Sequence, residues 1–151
     1  MSEARSLIDD LVVQFPRLFH GRPPQTWSDL PAGWLGVAVE LFADIDRLLA
    51  DQSAEQFEVL QIKEKFAGLR IYWRLGAQQT DVVDLIGASS TQRIDIEPKR
   101  QTATFELIKA RINEAAAQAS KTCQVCGEPG DLGQSEGRLQ TLCGACRNAP
   151  R

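Results

Sequence analysis

All four cysteines of the chain lie near its end, as Cys123-Gln-Val-Cys126 and Cys143-Gly-Ala-Cys146. Two C-x2-C pairs separated by sixteen residues match the four-cysteine zinc pattern. One C-x2-C turn presents two sulfurs to one ion, and Zn²⁺ takes four thiolates tetrahedrally at ~2.3 Å. Gly127 and Gly144 each follow a cysteine directly. They are expected to supply the backbone angles that such turns demand. Four protein ligands leave no open coordination position, whereas a catalytic zinc keeps one for water or substrate. The expected role of Cys123, Cys126, Cys143 and Cys146 is therefore a structural Zn²⁺ site. Iron is chemically allowed by the same donors. The competing chemistry is a redox dithiol, but that motif follows a strand and opens a helix in a thioredoxin-like fold. Neither flank here fits it.

Other residues offer recognition rather than catalysis. The segment Lys63-Glu64-Lys65-Phe66-Ala67-Gly68-Leu69-Arg70 is dense in charge. It lacks the G-x-x-x-x-G-K pattern that cradles phosphates. It reads as a presented loop with Lys63, Lys65 and Arg70 as cations, or as a hairpin with one solvated face. Tyr72, between Arg70 and Arg74, is the one place where an aromatic interleaved with cations could stack a base. Glu40 and Asp44 belong to an acidic helix face that could meet a basic partner; a merely solvated face is the plainer reading. His20 is the only histidine and lies in a Pro-rich stretch. With every cysteine assigned to metal, it has no nucleophile to activate. The chain is therefore expected not to be an enzyme.

Elements must position these groups. Leu7, Ile8, Leu11, Val12 and Phe15 recur at helical spacing, and Pro16 ends that helix or starts its last turn. Residues 20–31 hold Pro23, Pro24 and Pro31 and read as a loop pinned by Trp27. A second helix is expected from Gly33 or Trp34 to Ala50, with Val37, Leu41, Phe42, Ile45, Leu48 and Leu49 as its apolar positions, followed by a short polar break over 51–55. Phe57–Leu75 reads as a hairpin. Leu60 and Ile62 share one face of its first strand, Ile71, Trp73 and Leu75 line the second, and Gly68 makes the turn. Asp81–Ile86 fits a helical turn or a strand, residues 87–91 a loop, and Arg93–Glu97 a third strand stopped by Pro98. The last long helix is expected from Thr102 to Ser120, with Phe105, Ile108, Ile112, Ala115, Ala116 and Ala119 on one face. Beyond it, Pro129 and Gly130 turn the chain into a short hairpin that pairs Leu132 with the 139–142 segment.

Composition narrows the class. At 151 residues and 43% hydrophobic, one domain with a real core is expected, with a small appendage. The net charge is −3, and four thiolates around Zn²⁺ would add two further negative charges. Proteins that wrap nucleic acid carry a basic excess. Within 123–146 the only base is Arg138, against Glu128, Asp131 and Glu136. This disfavours a nucleic-acid finger and favours a staple or a protein contact. Met1–Asp10 shows no apolar run after a basic segment, so no signal peptide is expected. No stretch approaches the roughly 20 apolar residues that span a bilayer. A cytoplasmic protein with reduced thiols is the expectation.

Several blocks resemble a family of small, uncharacterised bacterial and prophage proteins. They are Phe15-Pro16-Arg17-Leu18-Phe19, Gly33-Trp34, Gln61 through Tyr72, Ser120 through Gly130, and Thr141-Leu142-Cys143. The family usually has Gly where this chain has Ala67. It also runs more directly from hairpin to final helix, so residues 76–101 read as an insertion that adds a strand. The resemblance supports a fold and a zinc site, and no activity travels with it.

The expected architecture is α+β: two N-terminal helices, a small antiparallel sheet, a long helix, and a C-terminal zinc ribbon. Residues 1–121 form the body and 122–151 a ribbon tail packed on it. The expected function is non-enzymatic protein binding, in its most concrete form an immunity or antitoxin-like protein that caps a toxin. The rival class is a nucleic-acid-associated or transcription-modulating zinc protein.

Overall fold

The protein is described by a computed structural model covering residues 6–24, 26–27, 29–50, 54–76, 78–79, 99–135 and 137–149. The elements expected over 81–86, 87–91 and 93–97, and most of the 76–101 insertion, lie outside the described residues.

Helix α1 spans Leu7–Gln14 and starts at a capping box. The Asp9 amide donates to Ser6 Oγ at 3.0 Å, and the Ser6 amide donates back to the Asp9 carboxylate. Leu7, Ile8, Leu11 and Val12 are buried. Pro16 does not continue α1. It opens a separate short helix, α2 (Pro16–Phe19), where its missing N–H costs nothing. His20 ends α2 in a left-handed conformation. The following stretch is not wholly loop. Thr26–Trp27 form β1, which runs parallel to the first hairpin strand. Trp27 is 37% exposed and does not anchor the stretch. As an edge residue it has sheet on one side only. Among the described residues there, Pro24 and Leu30 are buried.

A 3₁₀ turn over Ala32–Trp34 leads into α3, Leu35–Leu48. Its buried face holds Val37, Ala38, Leu41, Phe42 and Ile45. The hairpin forms as β2 (Phe57–Lys65) and β3 (Gly68–Leu75). Two details differ from the expectation. The register slips between Val59 and Gln61, so Leu60 is the extra residue of a β-bulge. Phe57, Val59 and Ile62 therefore share the buried face, while Leu60 is only partly buried. Alternation alone pairs Leu60 with Ile62, because period two has no memory of an inserted residue. The turn is also not made by Gly68. Gly68 is the first residue of β3, opposite Lys65. The two turn residues are Phe66 (φ 53) and Ala67 (φ 65), the sign pattern of a type I′ turn. Non-glycine residues in that region cost roughly 1 kcal/mol each or more.

A two-residue strand, β4 (Gln78–Gln79), completes a sheet of order β1-β2-β3-β4. Helix α4 (Lys99–Ala119) packs on both α3 and β3. It buries Phe105, Ile108, Ile112, Ala115 and Ala119 of the face expected from its spacing, with Ala116 only partly buried. Phe105 stacks on Trp73 at 4.6 Å between ring centroids, and Trp73 stacks on Phe57 at 5.9 Å. This aromatic run joins α4 to the hairpin. The chain then enters β5 (Asp131–Ser135), β6 (Arg138–Leu142) and the short helix α5 (Gly144–Arg147). The fold is α+β and ends in the four-cysteine segment.

Candidate metal centre

The first cysteine pair sits on a knuckle between α4 and β5. The Cys123 amide donates to Glu128 O at 2.7 Å, and the Gly127 amide donates to Cys123 O at 3.0 Å. Gly127 has φ 86, so the glycine expected here for conformational reasons is used for them. Gly144 is not. It is the first residue of α5, and its role is helical rather than turn-making. Cys143 caps that helix, with its sulfur accepting from the Cys146 amide at 3.4 Å.

Gln124 locks the two halves together. Its amide donates to Thr141 O at 2.8 Å, and its side-chain oxygen accepts from the Thr141 amide at 2.7 Å. The first knuckle is thus stitched to β6, one residue from Cys123 and two from Cys143. The Arg147 guanidinium packs over Gly133 and donates to Asp131 O at 2.7 Å, closing α5 onto β5.

These bonds bring all four Sγ atoms within 4.8 Å of one another. Cys126 Sγ and Cys143 Sγ are 3.6 Å apart, too far for a disulfide, and all four cysteines are free. Four sulfurs at ~2.3 Å from a central ion would stand about 3.8 Å apart along tetrahedral edges. The cluster fits a metal ion held by four protein ligands.

The thiols differ. Burial works to raise Cys123, but the Cys126, Cys143 and Val125 amides outweigh it and bring its pKa down to about 6. Cys146 is pushed up to about 12, first by the Cys143 and Cys126 sulfurs and then by lost hydration. At Cys126 the Glu128 amide pulls downward, yet lost hydration and the neighbouring sulfurs leave it raised. Four thiolates this close repel one another unless a cation sits among them.

The cluster is also joined to the helical body. The Gly33 amide donates to Gln124 O at 2.9 Å, and Trp34 Nε1 donates to Thr122 O at 3.1 Å. A Cβ on Gly33 would lie 2.1 Å from Cys123 O, so only glycine permits this approach.

The other candidate residues fall into two groups. On the hairpin, Lys63 stands opposite Arg70, and Lys63 Nζ lies over the Tyr72 ring, 6.0 Å from its centroid. Lys65 lies 5.5 Å from the centroid of the Phe66 ring. Lys63, Lys65, Arg70 and Tyr72 therefore come together on the sheet face turned away from the core. On α3, Glu40 is exposed, but Asp44 is committed inside the molecule. It accepts from Arg111 Nε of α4 at 2.7 Å and pairs with Arg47. Asp46 pairs with Arg17. Much of the acidic α3 face is thus neutralised by the chain's own arginines. The Asp44–Arg111 pair spans 67 residues, and no local pattern announces it. The His20 Nε2–H donates to Phe57 O at 2.7 Å, which ties the end of α2 to β2. No helix among the described residues is long and apolar enough to cross a membrane.

No protein-family model, curated protein or solved structure matches the chain.

Proposed function

We propose that this is a non-enzymatic, cytoplasmic protein-binding protein whose four cysteines hold one structural Zn²⁺. What carries the structural role is the closed donor set: four Sγ atoms within 4.8 Å, two from each knuckle. A site filled by its own chain has no position for substrate. Zinc is favoured over iron because its filled d shell accepts whatever tetrahedron the protein offers. The outer hairpin face is the recognition surface in this reading, with Lys63, Lys65, Arg70 and Tyr72 in one patch. The acidic α3 face contributes Glu40 at most. An immunity or antitoxin-like protein that caps a toxin is the sharpest version.

Two measurements test this. Elemental analysis of the purified chain should give one zinc per molecule, and Cys126→Ser should remove it. A zinc-to-chain ratio unchanged in that variant would sink the metal assignment. A protein partner should co-purify stoichiometrically and be lost on combining Lys63→Glu with Lys65→Glu. Retention of single-stranded DNA or RNA that weakens steeply with salt would instead favour the nucleic-acid class.

A further inference from the structure

Folding gives no reason for the residue at position 66. Phe66 is 69% exposed, so its ring contributes little to the core. It stands at φ 53, a region that suits Asn or Gly and strains a bulky side chain. Ala67 follows at φ 65, so the tip carries two such residues in succession. Strain of this kind collects at binding sites, where the surrounding structure holds it in place. The hold is visible here. The Ala67 amide donates to Glu64 Oε2 at 2.9 Å, and β2 and β3 stay paired up to Lys65 and Gly68. The turn lifts one aromatic ring off the end of a braced ribbon.

The surroundings of that ring define what it fits. Lys65 flanks it, and Lys63 and Arg70 face each other two pairs further along the same hairpin. The one intervening carboxylate, Glu64, is turned to the Ala67 amide. An aromatic anchor rimmed by cations complements an apolar pocket rimmed by carboxylates. Single-stranded nucleic acid would match the charge, but it binds by stacking bases on open ring faces. Here Lys65 lies over Phe66 and Lys63 over Tyr72, so an ammonium already stands on one face of each ring.

Resting on the protein-binding reading above, we infer that Phe66 is the anchor of the recognition surface. It inserts into an apolar pocket on an acidic protein partner, while Lys63 and Lys65 pair with carboxylates at the pocket rim.

The test places photoreactive p-benzoylphenylalanine at position 66 of the full, metal-loaded chain in its native cell. A second chain carries the same group at position 125, where Val125 is exposed on the ribbon. The expected result is a protein crosslink from position 66 and none from 125. It should map to a peptide with aliphatic side chains beside Asp or Glu. It should fall at least tenfold when Lys63→Glu and Lys65→Glu are added. A co-purifying protein that crosslinks only from 125, or from neither site, overturns the anchor and leaves protein binding standing. So does a crosslink from 66 to a basic or wholly polar peptide. A crosslink from 66 to nucleic acid, or no co-purifying protein at all, overturns the protein-binding reading and the anchor with it. As a companion, Phe66→Ala should keep the urea midpoint and weaken partner retention at least tenfold; unchanged retention overturns the anchor.

Discussion

The Phe66–Ala67 turn sets presentation against stability. Replacing both residues with the Asn-Gly pair that type I′ turns prefer should stabilise the chain by roughly 1–2 kcal/mol, from relief of two left-handed residues. A urea midpoint that stays put would show that the turn carries no strain. The cysteines make a second prediction at this scale. Without metal, Cys123 has its pKa lowered to about 6, so its thiolate favours folding at neutral pH. That contribution is full only above the ordinary thiol value of 9.0 and falls away as pH drops from there through about 6. Cys146, raised to about 12, favours folding in its protonated form, and that contribution is lost only as pH rises far above neutrality. Cys126 is also raised. Zinc binding at pH 7 should therefore displace protons from at least Cys126 and Cys146, and affinity should fall about hundredfold per unit drop in pH. Calorimetry in buffers of different ionisation enthalpy reads the proton count directly, and a count near zero contradicts the scheme.

Among elements, α4 does most to hold the body together, and Phe105 is its point of contact with the sheet. Phe105→Ala should cost roughly 3–5 kcal/mol by denaturant unfolding, because the stacked run through Trp73 to Phe57 loses its outer member. A loss below 1 kcal/mol would mean that the site collapses freely around the vacancy. Elements were legible in the sequence where their signal is local. The α4 stripe, the α3 core face and the two knuckles each follow from spacing over a few residues. The bulge at Leu60 was not legible, since Leu60 and Ile62 alternate as ordinary strand neighbours do. The turn was not legible because Gly68 looks like a turn residue, while the burden falls on a Phe-Ala pair that composition argues against. The two-residue β1 was hidden among prolines. Asp44 looked available because Arg111, its partner, arrives from another helix.

For the molecule as a whole, the question is how far metal binding reaches. The Gly33 and Trp34 bonds to Gln124 and Thr122 join the ribbon to the start of α3. Chelation should therefore reduce hydrogen-exchange protection at the Gly33 amide as well as in the ribbon. Loss confined to residues 122–149 would refute this coupling. At a thousandfold excess of free zinc over Kd, binding is worth about 4 kcal/mol. For a chain of this size that is a Tm difference of roughly 10 °C between loaded and stripped protein. Gly33→Ala tests the same joint from the other side. Its new Cβ would meet Cys123 O, so the ribbon must move away. A loss of about 1–3 kcal/mol is expected, with a change in Trp34 fluorescence. An unaltered melting curve would show that the joint yields freely.

The glycine at 33 also bears on how such a chain could be rebuilt. A four-cysteine tail looks like a cassette for recombination to trade between proteins at the end of α4. This one has a second attachment ninety residues upstream, where a backbone carbonyl of the tail occupies the space of a side chain. A recipient body with any other residue at that place would reject the graft. Exchange would have to carry both segments at once, so the tail and the start of α3 form one heritable unit although the sequence writes them far apart.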